Sequence, residues 1–313
     1  MRDAFAISAA SPSPFPGGAS VVADGALYVL VEDDARSIGP ALALGLRHHA
    51  DAVHVIADIG AGRLAHQASA FVAPAHVWRV QGATLVEATP EPPATPAPLA
   101  PPADQLRLLR DAGLEVVIDI DRVAGELRGL EVARLFPRDD GSWTLEVGVG
   151  QADRELTVML HGNLAPSDAL TRVVDSVDRI RRADAEPHPL NRLVPERWLR
   201  WVASRQPGLL GATAVAPTPG HEPRRGLRDR DLAFATVEGA DGRSTFAAFS
   251  VGVDLDLVPI AAAARDMRAP DQPLAVVVPE RDAHDVTRAL TAALRHTATL
   301  MTVPDGWRDH VTP

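Results

Sequence analysis

Glu131, Glu146, Asp153, Arg154 and Glu155 are the residue types that hold a hard divalent cation and clamp a phosphodiester. Glu146 stands in Trp143–Gly150, where strand alternation sends Trp143, Leu145, Val147 and Val149 to one face. Thr144, Glu146, Gly148 and Gly150 go to the other, so a carboxylate lies among bare glycines on an open sheet face. Glu131 falls in the preceding strand. The expected arrangement is Mg2+ held by Glu131, Glu146 and Asp153, with Glu155 as a further catalytic carboxylate and Arg154 as electrostatic clamp. The competing expectation is plain cross-strand pairing of Glu131 or Glu146 with Arg134 or Arg128.

A second pattern is Gly60-Ala61-Gly62-Arg63-Leu64-Ala65, a G-x-G-x-x-A that follows a strand and opens a helix. Gly60, Gly62 and Ala65 would then let a pyrophosphate approach the helix N-terminus. The acid that should bind a ribose about 20 residues on is missing, because Gln81 stands near that point. A third group is the acids at strand ends, Asp254, Asp256, Glu280 and Asp282, which suit either Mg2+ or the N-termini of helices. The 11 histidines show no zinc spacing; His161 and His188 lie in expected loops as acid/base candidates.

What is missing narrows the chemistry further. The chain has no lysine and no cysteine, which removes Walker-type phosphate loops, Schiff-base catalysis, thiolate catalysis and zinc-thiolate sites. All 31 basic residues are arginine, which stays charged near neutral pH; the same bias is what GC-rich codon usage produces. No G-x-S-x-G elbow is present. A net charge of -10 disfavours nucleic acid without excluding it, unless arginine gathers on one face.

The 313 residues, 46% of them hydrophobic, suit two packed units or one large α/β body. The fold class expected is α/β, with a small N-terminal βαβ-type domain, a Pro/Ala linker and a larger α+β to α/β body. Residues 1–20 read as a flexible leader and 21–89 as the first domain, with strands at 26–31, 52–57 and 76–80 and helices at 37–48 and 63–71. Residues 90–103 are the Pro-rich linker. The body, 104–313, divides into a three-strand meander over 114–150, with strands at 114–120, 127–136 and 143–149, helices over 166–204 and an α/β tail over 230–304 that includes a short strand at 253–258. The second of those helices, opened by Pro195, is expected to bury Trp198, Trp201 and Val202 and to keep Glu196 and Arg200 in solvent.

The helix, strands, helix order of about Gln105–His161, with acids on the meander, resembles the restriction-endonuclease-like nuclease core. That resemblance implies a Mg2+-dependent phosphodiesterase, but the core pairs its acid with a lysine two residues on and this chain has Gly148 there, which fits a degenerate relative better. Pro187–Leu193 and Gly252–Pro259 resemble segments of a family from GC-rich bacteria with no assigned function, which implies no catalytic residue. The leading expectation is a binding or interaction protein for an unknown small ligand or protein partner, with its surface where the open meander face meets the helix bearing Trp198 and Trp201. The alternatives are the nuclease-like enzyme and a nucleotide-binding module. The absence of a roughly 20-residue apolar run excludes a membrane-spanning helix, and a soluble cytoplasmic protein is the simplest expectation.

Overall fold

A computed structural model describes residues 5, 7, 11–151, 153–155, 165–224, 226–229 and 231–311. His161 and most of residues 1–10 lie outside them. The protein is mixed α/β, with parallel and antiparallel strands, and forms two compact units. The first comprises Met1–Ala94, Val253–Val276 and Arg281–Met301, the second Thr95–Gly252, Val277–Glu280 and Thr302–Pro313. The break between Ala94 and Thr95 falls inside the Pro-rich stretch, where no proline can donate to a sheet. Much of the expected α/β tail therefore clusters with the N-terminal strands, not with the body assigned to it from the sequence. No helix of the described residues is long and apolar enough to cross a membrane.

The first unit carries a six-stranded sheet in chain order: β1 (Ser13–Phe15), β2 (Gly18–Ala23), β3 (Ala26–Val31), β4 (Ala52–Ala57), β5 (Ala75–Gln81) and β6 (Thr84–Glu87). The expected leader is thus partly sheet. Val21 and Val22 supply the β-branched character, and β2 pairs antiparallel with β3 from Gly18↔Val31 to Ala23↔Ala26. β3, β4 and β5 are parallel, joined by α1 (Gly39–Arg47) and α2 (Ala61–Ser69). The returning chain adds α6 (Leu257–Arg268) and α7 (Asp285–Ala292). Ser37 Oγ donates to Asp256 Oδ1 at 2.6 Å, and Arg295 N donates to Ala70 O at 2.8 Å. The expected strand at 253–258 is absent; Asp254 Oδ1 instead accepts from Asp256 N at 2.9 Å as the chain turns into α6.

The second unit opens with α3 (Ala103–Asp111), followed by a four-stranded antiparallel meander. Its strands are β7 (Glu115–Ile118), β8 (Val123–Leu127), β9 (Leu130–Pro137) and β10 (Trp143–Val147). The expected strand across 127–136 is broken because Arg128 and Gly129 both take positive φ (47° and 75°) and make a two-residue hairpin. Leu109, Leu114, Val123, Leu130, Val132, Leu135, Leu170 and Val177 close the core between the sheet, α3 and α4 (Pro166–Ile180). α5 (Pro195–Arg205) follows the 3-10 turn Pro189–Arg192. A second antiparallel sheet has β11 (Ala212–Thr218), β12 (Ala233–Gly239) and β13 (Ser244–Phe249), and Ser250 N donates to Val277 O at 3.1 Å in β14 (Leu274–Pro279). β15 (Ala298–Val303) is the last strand.

Candidate functional site

The meander brings Glu131, Glu146 and Arg154 together, but as ion pairs. Glu146 is the direct cross-strand partner of Arg134, whose Nη2 lies 2.7 Å from Glu146 Oε2. Arg154 lies between the two carboxylates, with Nη1 3.4 Å from Glu131 Oε1 and Nε 3.3 Å from Glu146 Oε2. A side chain at Gly148 would collide with the backbone of Arg154, and Gly148 itself has φ 134°. The glycine therefore permits the fold-back that delivers Arg154, and the place where the nuclease core would carry lysine has no room for it.

The remaining acids go elsewhere. Asp153 Oδ2 accepts from Val149 N at 2.6 Å, and exposed Glu155 accepts from Gln151 at 2.9 Å. Each of Glu131 and Glu146 faces guanidinium groups, and among the described residues no three His, Asp or Glu side chains converge as a cation cage. This donor set does not fit the Mg2+ implied by the nuclease resemblance.

In the first unit, Gly60 takes φ 70° and α2 starts at Ala61, as a strand-to-helix turn requires. The open space over Gly62 is filled by the carboxylate of Glu91, so a Cβ at residue 62 would collide with it. Glu91 N donates to Gly62 O at 2.9 Å, and Glu91 Oε1 accepts from Arg79 Nη2 at 2.7 Å. Ala65 is buried beneath. The chain's own acid occupies the position that the nucleotide reading gives to a pyrophosphate.

Around Arg154 the second unit forms a cleft of about 550 Å³, lined by Arg122, Arg134, Arg154, Arg197, Arg224 and Arg228, with Glu131 as its acidic member. Four of these arginines, 122, 197, 224 and 228, were not singled out from the sequence; they come from separate stretches that only the fold brings together. Gly129 lets α5 approach the β8–β9 hairpin, since a side chain there would meet the backbone of Arg197 and Trp198. Val194, buried and β-branched, holds the left-handed conformation (φ 41°, ψ 54°) just before α5, a strained state that costs about 1–3 kcal/mol and is held by its surroundings.

Behind the cleft, acids hold the arginines in place. Glu126 is fully buried and pairs with Arg224 and with Arg200, whose Nη2 is 2.6 Å from Glu126 Oε2 and 2.8 Å from Glu115 Oε2. Asp119 also pairs with Arg224. Burial alone would raise the Glu126 carboxyl, but Arg224, Arg200 and Arg197 together hold it at about 2. Arg224 in turn is raised, burial being outweighed by Glu126 and Asp119. Glu196 and Arg200, expected in solvent, are buried.

Arg181 is completely buried and donates to the carbonyls of Arg128 (2.9 Å), Leu190 (2.7 Å) and Leu193 (3.2 Å) while lying over Trp198. These bonds fix the 3-10 turn whose Leu190 and Leu193 line the cleft. Burial first, then Arg308, lowers Arg181 to about 9.

Two guanidinium atoms at the cleft are left without hydrogen bonds. Arg197 Nη2 is buried and its nearest ion-pair oxygen, Asp231 Oδ2, is 3.8 Å away. Arg154 Nε is buried and makes no hydrogen bond of good geometry to Glu146. Burial, then a neighbouring arginine, lowers both groups: Arg134 acts on Arg154 and Arg224 on Arg197. Arg228 is exposed and has no ion-pair partner among the described residues. No family model, curated protein or solved structure matches this chain.

Proposed function

We propose that the protein is a binding protein for a small oxyanion, held in the arginine-lined cleft of the second unit. The observation that carries this reading is the convergence of Arg122, Arg134, Arg154, Arg197, Arg224 and Arg228 on one cleft in which Glu131 is the one carboxylate among the lining residues, with Arg228 exposed. Six arginines around one lining carboxylate leave positive charge that a bound phosphate or carboxylate offsets through charge-assisted hydrogen bonds. Guanidinium forks match both anions geometrically. The cleft also falls within the range of about 300–1,000 Å³ usual for small-molecule sites. Its carboxylates are spent on positioning arginines, which favours binding over metal-assisted hydrolysis.

The test is thermal unfolding at low ionic strength with inorganic phosphate and pyrophosphate, using matched sodium chloride as control. A ligand at 100 times its dissociation constant adds about 2.7 kcal/mol to the native state. A saturable rise that shrinks in Arg228→Ala, an exposed position, is the expected result. A response no larger than that to chloride, with the fold intact, would overturn the proposal.

A further inference from the structure

The cleft has a second chemical character. Beside the arginines its lining includes Val149, Leu190, Leu193 and Leu227, all half-buried. Val149, Leu193 and Leu227 pack onto the core of the meander, and Leu190 and Leu193 are fixed through their carbonyls by Arg181. These are anchored apolar surfaces and not mobile side chains at a rim. An inorganic anion would leave them wet, whereas a ligand with an apolar body would cover them while its oxyanion met the guanidinium groups. Removing apolar surface from water favours binding in proportion to the area covered.

Resting on the oxyanion reading above, we infer that the ligand class is an amphiphilic organic oxyanion: a phosphate monoester or carboxylate carrying a short apolar body that lies against Val149, Leu190, Leu193 and Leu227.

The experiment is calorimetric titration of the full chain with inorganic phosphate, butyl phosphate and hexyl phosphate, alongside hexanoate and hexanol. The expected result is affinity rising with alkyl length, hexyl phosphate binding at least tenfold more tightly than phosphate, and hexanol not competing. The hexanoate arm tells phosphate from carboxylate as the head group. In Leu227→Ser the gain with alkyl length should fall while phosphate affinity stays within twofold, a pattern that a misfolded variant would not give. Equal affinity for phosphate and hexyl phosphate would overturn the amphiphile inference and leave oxyanion binding standing. Failure of every oxyanion to bind would overturn both, and hexanol binding as tightly as hexyl phosphate would remove the arginines from recognition.

Discussion

Glu126 Oε2 lies 2.6 Å from Arg200 Nη2, a fully buried carboxylate against a guanidinium that is 1% exposed. Removing Glu126 takes one shared carboxylate from two buried arginines at once, leaving Arg200 only Glu115 and Arg224 only Asp119. Glu126→Ala is therefore expected to destabilise the second unit by roughly 3–5 kcal/mol. Urea denaturation followed by tryptophan fluorescence measures this, because Trp198 and Trp201 sit on α5 with Arg200. A loss below about 1 kcal/mol would mean the pair is not closed in solution.

Glu196 makes stability depend on pH near neutrality. Burial raises its carboxyl from 4.5 to about 7, so the folded state holds the proton more tightly than the unfolded chain. The contribution is complete below pH 4.5 and disappears as pH climbs through about 7. By linkage it amounts to about 3 kcal/mol between pH 4.5 and pH 8. Glu196→Gln should flatten this slope. An unchanged slope in the variant would assign the pH dependence to other groups.

Residue 148 tests how Arg154 is delivered. Gly148→Ala places a Cβ against the Arg154 backbone at φ 134° and is expected to cost roughly 1–3 kcal/mol. It should also weaken oxyanion binding, by moving Arg154 away from Glu131 and Glu146. Wild-type stability together with wild-type binding would show that the fold-back does not need glycine.

The relation between Gly62 and Glu91 can be read with a double-mutant cycle. Gly62→Ala alone must displace the Glu91 carboxylate, offsetting the gain of up to about 1 kcal/mol that alanine brings to a helix. In the Glu91→Ala background that gain should emerge in full. Thermal melts of the four proteins give the coupling, and strict additivity would place Glu91 away from the α2 N-terminus.

The strands at 26–31 and 52–57 were legible from alternation and β-branching, and β3 and β4 occupy those residues. Arg134 facing Glu146 was legible too, as one of two readings of the same strand pattern. The break at Arg128-Gly129 was not, because arginine seldom takes positive φ and Arg-Gly is not among the residue pairs that announce a two-residue hairpin turn. The cleft was the least legible part. A helical wheel sends Glu196 and Arg200 outward, yet Glu115 on β7 and Glu126 on β8 arrive to pair with Arg200, and those partners lie dozens of residues away. The signal that was available is arginine used for every positive charge in an acidic chain, which permits buried guanidinium networks that lysine builds poorly.

The most direct measurement is the nitrogen-15 spectrum of arginine Nε–Hε groups during titration with pyrophosphate. Oxyanion binding predicts saturable shifts at Arg154 and Arg197, assigned through Arg154→Gln and Arg197→Gln, while the exposed Arg243 on the β12–β13 turn stays unmoved. Shifts of equal size across all arginines, or none at Arg154 and Arg197 when the titration is complete, would contradict it.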